Sequence, residues 1–328
     1  MKKQLLSGLL AGTMVLSLAA CGNSASTSAA NSATDTSAEA ASAGDNEIIY
    51  GYTCMQLTNP FHIAMRDEFK KLAEADGITF LEFDGDNSQQ KQNDAIDDMI
   101  AQGIDVLFLN PVDSDGVQPA LEACAAAGVK VITVDSNVTD TSLIETYISS
   151  DNFLAGKQDG EEIVRLYPDG CNIAILENPL AESVVQRVNG LESALEGTNC
   201  KIVDRKTFAA PDKILPTAED ILTAESDLQV FWGLNDDVSL IILGAVESAG
   251  RQDEIKVMSV DGSPSGKTSV LNGGMYCTAA QSPVSIADKA YECATQIMNG
   301  ESVEPSYSLG TTLITPENVA DNDPSNWG

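Results

Sequence analysis

IIYGYTCMQLTNPFHIAMRDEFKKLAEADG, residues 48–77, decides how the rest of the chain is read. Its first eight residues form a continuous apolar, β-branched and aromatic run, as a strand covered on both faces requires. The stretch turns through QLTNPFH and becomes a helix-like run ending at Gly77, a residue suited to a helix C-terminus. The corner holds His62, the only histidine in the chain. A lone histidine between strand and helix suggests a general base or a metal ligand, if the protein is an enzyme.

The same alternation continues outward. Strand-like runs ITFLEFD, DVLFLNP, KVITVDS and LIETYIS follow, with helical patterns between them that end near Gly103 and Gly128. After Ser150 the pattern restarts, with strand-like runs NIAILEN, CKIVDRKTF, LQVFWGL, IKVMSVD and MYCTAAQ between further helices. A last helix, VSIADKAYECATQIMNGE, precedes a short Pro-containing tail. Two successive βα arrays predict an α/β fold of two doubly wound parallel-sheet lobes. Ligands of such sheets bind beyond the carboxyl ends of the strands. The segments found there, MQLTNPF, NPVDSD, VDSN, NPLAES, GLNDD, SVDGSP and AAQSP, are rich in Asn, Asp, Gln and Ser. Such a lining suits a polyhydroxylated ligand, because carboxylates and amides accept from hydroxyls while amide and guanidinium N–H donate.

The length of 328 residues allows one large α/β domain or two medium ones, and 43% hydrophobic residues is ordinary for a globular chain. A formal charge of −31 argues against nucleic acid or an anionic membrane surface as partner. The N-terminus reads as an export signal, residues 1–20: Lys2 and Lys3 precede an apolar segment too short for a stable span. Leu18-Ala19-Ala20-Cys21 resembles a bacterial lipobox, which makes Cys21 the expected lipidated residue. Residues 21–45 are Ser, Ala, Thr and Asn with few acids and no aromatic, and read as a flexible tether. The expectation is an exported protein anchored to the membrane only through its lipid.

Six further cysteines, Cys54, Cys124, Cys171, Cys200, Cys277 and Cys293, show neither CxxC nor metal-ligand spacing. They are expected as buried small hydrophobes, although Cys171 and Cys200 lie side by side if the strands they open are neighbours. One histidine and no cysteine cluster leave no basis for a zinc site. There is no GxGxxG after the first strand, no GxxxxGK[ST] and no GxSxG, so nucleotide and triad chemistry lack their motifs and no cofactor is expected. Asp135 and Asp261 could pair for glycoside hydrolysis, but the polar rims and tether serve capture better than acid–base chemistry. Trp232, inside VFWGL, is expected in the core.

LTNPF, LNPVDSD and VITVDSN in the first half resemble the type I periplasmic binding proteins, of the ribose-binding kind. YISSDNFLAGKQDGE, QRVNGLESAL, VFWGLNDDVSLIILGAVESAG, MSVDGSPSG and AAQSP continue the likeness in order, from about residue 48 to 300. The resemblance implies a clamshell with a three-strand hinge. It assigns 46–149 plus 282–312 to the first lobe and 150–281 plus 313–328 to the second. It implies a monomer that captures one sugar or polyol and delivers it to an ABC permease. A sensor presenting its ligand to a membrane receptor is the alternative.

By the same resemblance, Asn59 and Phe61 are the pocket amide and stacking aromatic of the corner. Asn110 is the amide of the LNP turn, Asp135 a carboxylate and Arg187 a guanidinium gripping ring oxygens. Asn235, Asp261 and Gln281 are the second-lobe and hinge partners. Arg187→Ala is expected to abolish ligand stabilisation with little change in the unliganded fold. The chain departs from the pattern at Met55, where a small polar residue is usual, at His62 for an aromatic, and at Ser136 for an arginine. Val260 and Pro211 also fall where aromatic rings would be. These departures count against ribose and favour another pentose, a hexose, a polyol or a furanose-like molecule, with His62 as a flat hydrogen-bonding wall.

Overall fold

In the computed structural model, residues 48–327 are described. The expected signal peptide, the lipidation site Cys21 and the tether lie outside the described residues.

The first half runs β1 (Ile49–Cys54), α1 (Pro60–Asp76), β2 (Thr79–Asp84), α2 (Gln89–Ala101), β3 (Val106–Leu109), α3 (Gln118–Ala127), β4 (Lys130–Val134) and β5 (Thr146–Ser150). The second half begins with α4 (Asn152–Leu166), β6 (Asn172–Glu177), α5 (Glu182–Leu195) and β7 (Lys201–Thr207). It continues through α6 (Ile214–Ala224), β8 (Val230–Gly233), α7 (Asp236–Ser248), β9 (Lys256–Asp261), α8 (Pro264–Leu271) and β10 (Cys277–Ala280). Then come α9 (Pro283–Met298), β11 (Ser306–Leu309) and β12 (Thr312–Ile314).

Two six-stranded sheets result, ordered β11-β5-β4-β3-β1-β2 and β12-β10-β9-β8-β6-β7. Every pairing is parallel except that of β12 with β10. These are the two α/β lobes expected from the alternating pattern. The ten strands read from the sequence are all present, and the tail adds the edge strands β11 and β12. The chain passes between the sheets after β5, after β10 and between β11 and β12.

Period-two alternation explains the first lobe's core. Tyr50, Tyr52 and Cys54 of β1 and Phe108 of β3 pack on one face, with Phe69 of α1 and Ala290 of α9. Leu107 and Leu109 face the other way, onto Ile96 and Met99 of α2 and Leu121 of α3. Both faces are covered, so the strands read as unbroken apolar runs. The second lobe has a single large cluster, with Trp232 fully buried in it and its indole N–H bonded to Asp159 Oδ2 at 2.8 Å. The six cysteines among the described residues are buried free thiols. Cys171 and Cys200 immediately precede the paired strands β6 and β7, as their positions suggested.

Candidate functional site

Each corner residue is placed by helix-start chemistry. Asn59 caps α1, its Oδ1 accepting from the Phe61 N–H at 2.8 Å, with Pro60 as the first helical residue. That cap turns Phe61 and His62 inward, and both are buried. Asn235 caps α7 in the same way, accepting from the Val238 N–H at 3.0 Å.

The strand ends of the two sheets meet around one chamber of about 60 Å³. It is lined by Met55, Asn59, Phe61, His62, Asp135, Arg187, Asp261 and Gln281, together with Ala181, Ser183, Val184 and Leu234. Asn110, Ser136 and Asn235, also expected at the site, stand behind this lining. Asn110 ties three strand ends together: it accepts from the Met55 N–H at 3.2 Å and donates to the Val134 carbonyl at 3.2 Å and to Asp135 Oδ2 at 3.0 Å. Ser136 meets Ser183 of α5 across the lobes, hydroxyl to hydroxyl at 2.6 Å. Met55, at the end of β1, packs against the core of the other lobe.

The two strand-ending aspartates have unusual backbones, with φ of 65° at Asp135 and 137° at Asp261. Each is fixed by its surroundings. Tyr147 donates its hydroxyl to the Asp135 carbonyl at 2.9 Å, and the Gln281 N–H bonds the Asp261 carbonyl at 2.8 Å. Backbone strain of this kind persists where the neighbourhood over-determines it, and it aims a side chain.

Arg187 lies between them. Its Nε donates to Asn152 Oδ1 at 2.8 Å and its Nη1 to the Leu234 carbonyl at 2.9 Å. Its Nη2 stands 3.9 Å from Asp135 Oδ1 and its Nη1 3.9 Å from Asp261 Oδ1, charge-paired but beyond hydrogen-bond reach. The arginine is held deep because α4 and α5 touch backbone to backbone. A Cβ at Gly156 would sit 1.7 Å from the Arg187 carbonyl oxygen, and one at Gly190 2.0 Å from that of Phe153. Asn152, Ser183 and the glycine contact complete the site, and the sequence reading did not assign them roles. Asn152 opens α4 two residues past the end of β5 and Ser183 lies in the NPLAES rim, so position was the available signal. The Gly156 contact has no local signal.

Burial pushes the Asp135 carboxyl above the usual carboxylate range, against the pull of Arg187 and then His62. Burial pushes Asp261 well above it, again against Arg187, with Asp236 and Asp237 adding repulsion. His62 is shifted down by burial, outweighing the nearby Asp135, so its ring is neutral at pH 7. Its Nδ1 lies 2.9 Å from the Gln56 carbonyl, which assigns the proton to Nδ1 and leaves Nε2 as an acceptor. No group of His, Cys, Asp and Glu among the described residues is arranged to hold a metal.

Two buried acceptors in this chamber, Asp135 Oδ1 and Gln281 Oε1, receive no hydrogen bond from any described residue. Buried polar atoms are nearly always satisfied, so a pair left open on one chamber marks where donors from outside would enter.

Residues 50–302 match the family described as periplasmic binding protein domain. The ribose import binding protein of Escherichia coli strain K12 is 30% identical over 264 residues, 80% of this chain and 88% of that one. Among solved structures, an ABC transporter solute binding protein from Mycobacterium smegmatis with bound glycerol superposes with a TM-score of 0.79 at 30% identity, covering 84% of this chain and 96% of that one. The Caulobacter myo-inositol binding protein bound to myo-inositol gives 0.79 at 28% identity, with the same 84% and 96%. These relatives are binding proteins, and glycoside hydrolysis finds no counterpart among them. With its two parallel-sheet lobes and the site between their strand ends, the chain belongs to the periplasmic binding protein family.

Proposed function

We propose that the protein is the extracytoplasmic solute-binding component of an ABC-type sugar importer, capturing a monosaccharide or related polyol between its lobes and delivering it to a permease. The observation that carries this reading is the pair of orphaned buried acceptors beside Arg187. A ligand hydroxyl entering the 3.9 Å gap between Asp135 Oδ1 and Arg187 Nη2 would donate to the first and accept from the second. A second hydroxyl would donate to Gln281 Oε1. Asp261, the amide N–H of Asn59 and the Nε2 acceptor of His62 offer further partners, and the faces of Phe61 and Met55 suit the apolar faces of a ring. Asn110, Ser136 and Asn235 act from behind by fixing the strand and helix ends. The names of the relatives, ribose, glycerol and myo-inositol binders, point to the same ligand class. Lipidation at Cys21 would keep this domain close to the permease and outside the cytoplasm.

A chamber of about 60 Å³ holds only a few waters, so a sugar ring enters by the lobes parting and closing again. Thermal unfolding against D-ribose, L-arabinose, D-galactose, D-fructose, myo-inositol and glycerol tests the reading. A ligand at a hundred times its Kd should add about 2.7 kcal/mol of stability. No shift with any sugar or polyol, alongside a shift with amino acids, would overturn it.

A further inference from the structure

A second, larger chamber of about 250 Å³ lies beside the polar one. The two share Met55, Asn59, His62, Ala181, Val184 and Leu234, so they adjoin across common walls. Their chemistry differs. No Asp, Glu, Lys or Arg lines the second chamber, in a chain carrying 49 acidic residues. Beyond the shared residues its walls are mainly Val112, Leu180, Phe208, Ala210 and Pro211.

The amides present there are partly engaged. Asn87 Nδ2 donates to Gln56 Oε1 at 2.6 Å, the Thr58 hydroxyl donates to the same oxygen at 3.2 Å, and Asn178 Oδ1 accepts from the Leu180 N–H at 3.3 Å. The inner chamber shows the reverse, with Asp135 Oδ1 and Gln281 Oε1 open. The inner chamber asks for hydroxyl donors, and the second offers mainly uncharged, apolar surface. Leu180, 58% exposed, stands at this apolar end and gains by being covered.

We propose that the second chamber is a subsite for an apolar substituent, so that the ligand is a glycoside: a sugar head in the charged chamber and a small apolar aglycone against Leu180, Phe208 and Pro211. This rests on the sugar-capture reading above and narrows it. A free monosaccharide has no substituent to place against Leu180, Phe208 and Pro211. A second sugar would lay hydroxyls against Leu180, Phe208 and Pro211, which offer them no partners.

Calorimetric titration with D-ribose, L-arabinose, D-galactose and D-glucose, each beside its phenyl β-glycoside, separates the possibilities. The expected result is at least one sugar that binds, with its phenyl glycoside about tenfold tighter or better. Leu180→Asp should remove that gain and leave the free sugar's affinity within about twofold, because the residue lies outside the charged chamber. A sugar that binds as well as or better than its phenyl glycoside would overturn the aglycone subsite and leave sugar capture standing. So would a gain from a β-linked second glucose equal to that from phenyl. Binding of neither sugars nor glycosides would remove both readings together.

Discussion

Trp327 stands edge-on to Phe61, ring centroids 5.4 Å apart and planes at 84°. The two residues belong to opposite ends of the described chain, and the contact has a specific route. After β12 leaves the second sheet, the Asp323 carbonyl accepts from the buried Lys267 Nζ of α8 at 2.6 Å, and Trp327 then packs on the first lobe's core. The tail therefore spans both lobes at a fourth place, through side-chain contacts and not through a continuous strand.

This placement makes Trp327 an optical reporter of the site. The other tryptophan, Trp232, is sealed in the second-lobe core with its N–H committed to Asp159. Titration with a stabilising sugar should change the intrinsic emission of the wild type, and Trp327→Phe should remove that change while the thermal shift persists. Trp327→Ala should cost about 1 kcal/mol through the lost aromatic pair, measured by denaturant unfolding. An unchanged ligand-induced signal in Trp327→Phe would show that the ring does not sense the chamber.

Arg187→Ala should lower stability as well as abolish ligand response. The sequence suggested a pure binding defect, but the guanidinium is buried between two buried carboxylates and satisfies Asn152 and the Leu234 carbonyl. Its removal leaves uncompensated buried charge, a loss of about 3–5 kcal/mol. Both carboxyls, already shifted up by burial, would rise further without it. The defect should thus be smaller at pH 5 than at pH 8, read from urea midpoints.

Asp159 gives a pH dependence independent of the ligand. Burial raises its carboxyl from 3.8 to about 8, despite the bonds from Trp232 and Cys277. Between these values the folded protein holds a proton that the unfolded chain has released, so stability is greatest at the acid end and falls as pH rises toward 8. The slope from this group is at most about 1.4 kcal/mol per pH unit. Asp159→Asn, whose amide oxygen can still accept from the Trp232 N–H, should flatten the decline between pH 5 and 8 in thermal unfolding. An unaltered slope would mean that Asp159 is ionised in the fold.

Most of this architecture was legible because it rests on local rules. The inner strands are covered on both faces, so runs such as those of β1, β3, β6 and β8 stand out as apolar, and glycines such as Gly77 mark helix ends with positive φ. The edge strands β11 and β12 were not legible. SYSL and TLI are short and half exposed, and they exist through pairing with β5 and β10. At the site, strand-end position brought Asp135, Asp261 and Gln281 into view. What position cannot show is depth: Asn110 bonds Asp135 from behind and Ser136 spends its hydroxyl on Ser183. Nor does any local pattern reveal that Gly156 lets the Arg187 backbone come within contact of α4.

His62 supplies the last expectation. Its ring donates through Nδ1 to the Gln56 carbonyl and borders both the polar chamber and its apolar annex. His62→Phe keeps a flat wall but deletes the Nε2 acceptor, so affinity for a hydroxylated ligand should fall about tenfold, the cost of one unmade hydrogen bond. The same substitution has an acid-side signature. Burial holds the folded pKa below the ordinary 6.5, so the wild type is favoured above that value and loses stability as pH falls through the folded pKa. His62→Phe has no proton to bind, and its thermal midpoint should decline less than the wild type's over that acid interval. A weaker ligand response with an unchanged acid limb would separate the hydrogen-bonding role from the burial of the ring.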